Sequence, residues 1–136
     1  MRCFLEKEFD YDPRDPRKRL LITGIQIENP VSHKSITASC LWDTGASGTC
    51  ITPRVIRELE LCPISSVLAQ SANSSDRLGI YLVNIDLGPS AFEDLAVAGL
   101  MGYSEHVADV ILGMDIIGRG DFHLTHRDGK LVLRWE

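Results

Sequence analysis

One aspartate in the stretch LWDTGASGTCIT, residues 41–52, stands where a carboxylate could do chemistry. Asp43 follows two apolar residues and precedes a threonine, a glycine and small polar residues. Closing an apolar strand, it is expected at a partly dry position. Thr44 and Ser47 bring hydroxyls, and Gly45 lets the backbone approach closely enough to donate an N–H to the carboxylate. Two structural readings compete with a chemical one. The aspartate could fix a tight turn through its own backbone, or it could cap Thr44 and Ser47. The triplet Asp43-Thr44-Gly45 occurs once in the chain, and one carboxylate cannot both activate a water and protonate a leaving amine.

No other cluster offers chemistry. His33, His106, His123 and His126 are scattered without metal-ligand spacing, and Cys3, Cys40, Cys50 and Cys62 include no C-x-x-C pair, so neither a metal nor another cofactor is expected. The thiols read as small buried or half-buried side chains in a reducing compartment, with no bridge between Cys40 and Cys50. The net charge of −5 argues against a nucleic-acid partner, which would require a basic face. The short basic run RDPRKR (14–19) is interrupted by Asp15 and Pro16 and reads as a solvated lead-in to a strand. No apolar run approaches the roughly 20 residues that span a bilayer. The stretch MRCFLEKEFDYD turns acidic too early for a secretory signal, so the cytoplasm is the expected compartment, with no membrane partner.

The elements that must position Asp43 follow from patterning. At 136 residues, with 44% apolar and 24% charged residues, the chain suits one soluble domain. Residues 1–18, charged and carrying Pro13 and Pro16, are expected to form an irregular arm, with the folded domain over 19–136. RLLITGIQIEN (19–29) alternates, with Leu21, Thr23, Ile25 and Ile27 on one face; SITASCLW (35–42) repeats this with Ile36, Ala38, Cys40 and Trp42. A short strand near Thr49–Thr52 leads into a helix, with Thr52 as N-cap, Pro53 at the first position and Val55, Ile56 and Leu59 as its apolar stripe. ISSVLA (64–69) and RLGIYLVNIDLG (77–88) read as a long hairpin with its tip near Asn73–Asp76, and FEDLAVAGL (92–100) as a further strand. ADVILGMDIIGRG (108–120) is a buried strand running through Gly113 into a helical turn. The final residues form two strands joined at Asp128-Gly129. Many short strands and one or two brief helices give a mostly β fold, closed or sandwich-like.

Two signatures in order raise the triplet above chance. The first is apolar-apolar-Asp43-Thr44-Gly45-Ala46-Ser47, closing a strand. The second, about 65 residues on, is Ile111-Leu112-Gly113 followed by a short helix, within VILGMDII (110–117). With a hairpin between them, residues 20–136 resemble the retropepsin-like aspartic proteases, the single-domain relatives of pepsin. That resemblance implies a closed β-barrel, with the second-signature strand supporting the catalytic loop from behind. It also implies a homodimer in which Asp43 faces the Asp43 of a second copy across a two-fold axis. Two carboxylates at contact distance hold a single proton, so one activates water while the other polarises the peptide carbonyl. On this resemblance Thr44 braces the two loops, Gly45 steadies the carboxylates and Ser47 makes a supporting bond. Ala46, Val110 and Ile111 then wall the pockets for an extended peptide or protein substrate.

The pattern also departs from the family. The hairpin region 70–79 has glycine only at Gly79, where the family's flap is glycine-rich at its tip. Ser47 and Gly48 stand where retroviral members have acids, and Met114 stands where they have an arginine, which removes an expected salt bridge. The strand GKLVLRWE, with Leu131, Leu133 and Trp135 on one face, suits either a subunit interface or an internal core. The leading function is a dimeric aspartic endopeptidase. The alternative is a catalytically silent dimerisation or peptide-binding module of the same fold.

Overall fold

A computed structural model describes residues 4–70, 75–100 and 107–136 of the chain. Its strands are β1 (Leu5–Asp10), β2 (Ile22–Glu28), β3 (Ser35–Trp42), β4 (Cys50–Ile51), β5 (Ser65–Gln70), β6 (Ser75–Asp86), β7 (Ala91–Gly99), β8 (Val110–Leu112), β9 (Phe122–Arg127) and β10 (Lys130–Trp135). Two short helices, α1 (Pro53–Glu58) and α2 (Met114–Ile117), follow β4 and β8. The larger sheet runs β2-β3-β8-β4-β7-β6-β5, and β2 also pairs with β6. That extra pairing closes six strands, β2, β3, β8, β4, β7 and β6, into a barrel and leaves β5 outside as the free arm of a hairpin.

Alternation decides which face goes inward. Thr23, Ile25 and Ile27 of β2 and Ala38, Cys40 and Trp42 of β3 are buried, as their period-2 spacing requires, while Leu21 and Ile36 pack at the margin. Val83, Ile85, Leu95 and Val97 continue the same core from β6 and β7. The α1 stripe closes one end through Val55 and Leu59, both fully buried. Thr52 sits at the N-cap, but its hydroxyl donates to the Asp109 carbonyl (3.0 Å) instead of capping the helix.

A second sheet, β1-β10-β9, packs beneath the barrel. The turn between β9 and β10 has positive φ at both central residues, 52° at Asp128 and 76° at Gly129, as a tight hairpin of this hand requires. Leu133 and Trp135 enter the core, and the Trp135 indole N–H donates to the Ile117 carbonyl (3.0 Å). The Leu131-Leu133-Trp135 face is therefore an internal core face.

Residues 5–10 correct the expectation of an irregular arm. They form β1, in full antiparallel register with β10 from Leu5↔Trp135 to Asp10↔Lys130. Charge and proline content hid the strand, because Leu5 and Phe9 are its only apolar inward residues and the pairing partner lies more than 100 residues away. Pro16–Arg19 form a 3₁₀ turn capped by the Asp15 side chain. Cys3, His106 and the expected hairpin-tip residues Asn73 and Ser74 lie outside the described residues.

Candidate active site

Asp43 follows directly on β3, whose last residues pair in parallel with β8: Cys40↔Val110, Leu41↔Ile111 and Trp42↔Leu112. The other edge of β8 pairs antiparallel with β4, Cys50↔Ile111 and Ile51↔Val110. One three-residue strand therefore holds both ends of the loop 43–49. Asp43 extends this ladder by one bond, its N–H donating to the Leu112 carbonyl (2.9 Å).

The loop itself is a turn. Ala46 N–H donates to the Asp43 carbonyl (3.1 Å), and Gly45 N–H donates to Asp43 Oδ1 (2.9 Å). The carboxylate thus does fix its own turn, one of the structural roles open from sequence, but with only one oxygen. Among the described residues the Gly45 N–H is the only hydrogen-bond partner of that side chain. Asp43 is half-buried, and Thr44, Gly45 and Ser47 beside it are exposed. A carboxylate fixed in orientation, with an oxygen free and solvent at hand, can accept a proton from water or share one with a second acid.

What braces the loop is mostly the segment after the second glycine. Met114 N–H donates to the Ala46 carbonyl (2.8 Å) and Asp115 N–H to the Ser47 carbonyl (3.2 Å), so loop carbonyls satisfy the first free N–H groups of α2. The Asp115 carboxylate grips Thr49 twice, accepting its hydroxyl at 2.7 Å and its N–H at 3.1 Å. The same Thr49 hydroxyl accepts the Gly113 N–H at 3.1 Å. Gly113 allows this closeness: a Cβ there would lie 2.6 Å from the carbonyl carbon and oxygen of Gly48 and 3.0 Å from the Ala46 oxygen.

Thr49 and Asp115 were not singled out from sequence, although Asp115 had a signal: a lone acid in the first turn of a helix that follows the second signature. Its carboxylate braces the loop, while the neighbouring Met114 is exposed. Ser47 contributes its backbone carbonyl; among the described residues neither its hydroxyl nor that of Thr44 makes a hydrogen bond. Ala46 and Ile111 are half-buried beside the loop. Val110, expected to wall a pocket, has no exposed surface and belongs to the core, because adjacent strand residues point to opposite faces.

The entry to β8 is pinned by Asp109, whose carboxylate accepts the Ser39 N–H (2.9 Å) and pairs with Arg54 (2.6 Å). Burial opposes its ionisation, but the Arg54 and Ser39 hydrogen bonds outweigh this and hold its carboxyl below the ordinary value. Cys50, half-buried on β4, has its thiol pushed up by burial and then by the Asp115 charge. The described cysteines, Cys40, Cys50 and Cys62, are free thiols.

The hairpin β5–β6 projects from the barrel. At its base Gly79 and Gly99 flank the paired Ile80 and Ala98 of β6 and β7, and the Tyr81 ring covers both; a Cβ at either would lie 3.0 or 2.9 Å from that ring. The outer strand β5 leaves Val67 and Leu68 exposed.

Residues 30–119 match the family model described as "gag-polyprotein putative aspartyl protease". Compared by sequence, the chain matches no curated protein. Among solved structures, it is similar to a retropepsin-like aspartic protease from Rickettsia conorii (TM-score 0.61, 14% identity), over 97% of this chain and 92% of that one. It is also similar to the EIAV protease complexed with the inhibitor HBY-793 (TM-score 0.51, 16% identity), over 80% of this chain and 91% of that one. At such identities the structural likeness speaks for the fold alone.

Proposed function

Because the chain belongs to the retropepsin-like aspartic protease family, we propose that it is an aspartic endopeptidase whose water is activated between the Asp43 carboxylates of two copies. The observation that carries this reading is the state of Asp43. Its loop is fixed at both ends by β8 and from behind by α2, one carboxylate oxygen is held by Gly45 N–H, and the residues around it are open to solvent. A turn-forming aspartate needs no such scaffold.

Two such carboxylates across a two-fold axis share one proton, because like charges at that distance cannot both ionise. The ionised member takes a proton from water as the oxygen attacks the peptide carbonyl carbon. The protonated member hydrogen-bonds the carbonyl oxygen as that oxygen gains charge. The resulting tetrahedral diol collapses when a proton passes to the nitrogen, breaking the C–N bond and releasing acid and amine. Thr44, at the exposed rim, would brace the partner loop, and Ser47 would hold the loop end through its backbone carbonyl. Ala46 and Ile111 are the proposed pocket walls, and Val110 supports them from the core. An extended peptide would pair its main chain with the hairpin and place alternate side chains in pockets. Cytoplasmic action on peptides or proteins, not nucleic acid, completes the proposal. Among the described residues no helix is long and apolar enough to cross a membrane.

The test is incubation with a pool of unstructured peptides between about pH 4 and 7, where a shared-proton dyad can operate. Cleavage that is blocked by a statine-type inhibitor and lost in Asp43→Asn supports the reading. A folded dimer that cleaves nothing selects the silent binding module instead.

A further inference from the structure

We infer that the cleft between α1 and the base of the β5–β6 hairpin is a second binding site, which takes the C-terminal residue of a peptide by its apolar side chain and its free carboxylate. The site is independent of the reading of Asp43 given above.

The cleft exists because two positions of the sheet carry no side chain. Gly79 and Gly99 both lie against the Tyr81 ring, and Ile56 closes on Gly99 from α1; a Cβ at Gly99 would lie 2.9 Å from the ring and 3.0 Å from Ile56 Cδ1. What remains is a hollow of about 270 Å³, walled by the half-buried Pro53, Ile56, Tyr81 and Leu100. Pockets for drug-sized ligands hold roughly 300–1,000 Å³, so this one suits a single side chain. It lies across the sheet from Ile111. Gly99 shares the core-directed face of Val97, whereas Ala98 between them faces the other way with its partner Cys50, which in turn pairs with Ile111.

The polar part of the lining is cationic. Arg57 and Arg77 complete it, and no acidic residue belongs to it. Arg54, one turn earlier on α1, is held by Glu58 and Asp109. Among the described residues the Arg57 guanidinium has no such partner, and Arg77 has only the Ser66 hydroxyl, at 3.0 Å. The Tyr81 hydroxyl is also without a partner among them. Two arginines that meet no acid, in a chain of net charge −5, leave donors for an incoming carboxylate.

Apolar walls and carboxylate donors share one small hollow, so the groups they bind must sit on one residue. The last residue of a chain carries both on the same Cα. An internal acid beside an apolar residue spreads them over two, and capture of a terminal carboxylate is a known mode of peptide recognition.

NMR titration of the isotope-labelled full chain tests this, with N-acetyl-Gly-Gly-Phe as the probe. The expected result is saturable shifts at the amides of Ile56, Arg57, Gly79, Tyr81 and Gly99, with the millimolar affinity that so small a ligand allows. The C-terminal amide of the probe should bind about tenfold more weakly, and so should the probe to Arg57→Gln or Arg77→Gln, since each change removes a charge-assisted hydrogen bond. Both arginines are exposed, and spectra unchanged elsewhere would show that the variants fold. Equal binding of acid and amide, or variants that bind like wild type, would reduce the site to an apolar hollow and overturn the proposal. Equal binding of N-acetyl-Gly-Phe-Asp-Gly-amide would assign the cleft to internal acidic segments and overturn it too. Shifts confined to residues 43–49, or none at about 10 mM probe, have the same force.

Discussion

Gly113→Ala tests whether the second glycine is there to let α2 reach the loop that carries Asp43. The added Cβ would meet the carbonyl carbon and oxygen of Gly48 at 2.6 Å, about 0.8 Å inside ordinary van der Waals contact, with the Ala46 oxygen at 3.0 Å. All three are backbone atoms, so no side chain can rotate away. Either β8 and α2 retreat or the loop moves by most of an ångström. Overpacking of this kind costs about 1–3 kcal/mol, which for a domain of this size lowers Tm by roughly 4–12 °C. A shift of about 1 Å in a catalytic group costs on the order of 10²-fold in rate. The expected outcome is therefore a folded protein with a lowered Tm and a peptide-cleavage kcat reduced about a hundredfold. Gly24→Ala, where a Cβ meets nothing within 4 Å, is the control. Both should be compared by calorimetry and steady-state kinetics at one protein concentration, since Tm of an associating protein depends on it. A Gly113→Ala protein with Tm and kcat like those of the control would show that the close approach does not position the loop.

Thr49→Val keeps the shape but removes the hydroxyl that links Asp115 to Gly113 N–H; with that N–H buried and unpaired, urea unfolding should show a loss of about 1–3 kcal/mol. Asp109 is held below its ordinary value of 3.8, so its contribution is present above that pH and is lost as pH falls through the lower folded value. Asp109→Asn should accordingly flatten the decline of stability below about pH 4 in acid titrations followed by circular dichroism. Cys40 is fully buried and its thiol is pushed up to about 12, whereas Cys62 is exposed. Alkylation at mildly alkaline pH, mapped by mass spectrometry, should therefore label Cys62 first, Cys50 slowly and Cys40 only on unfolding.

The inward faces were legible in the sequence because the strands alternate cleanly, so that Ile25, Ile27, Ala38 and Cys40 could be assigned inward from spacing alone, whereas closure into a barrel followed only from the family resemblance. The acid and its supporting strand were legible because each carries a short local pattern. What connects them was not. The Asp115–Thr49 grip joins residues 66 apart, and only the parallel β3–β8 pairing shows that they meet. Val110 was misassigned to a pocket wall for a related reason: apolar strand residues look alike until the register fixes which face each takes. β1 escaped notice because four of its six residues are charged and its partner is the last strand of the chain. In each case the local sequence was compatible with several neighbours, and the long-range register chose one.

Holding both flanks of the loop 43–49 with a strand from residues 110–112 has a temporal consequence. As the polypeptide leaves the ribosome, the acid emerges long before the segment that sets its angle. Contacts this distant in sequence form slowly. A nascent or truncated chain ending before residue 110 would hold the Asp43 carboxylate on a loose loop, and its orientation would be set only once residues 110–112 had joined the sheet.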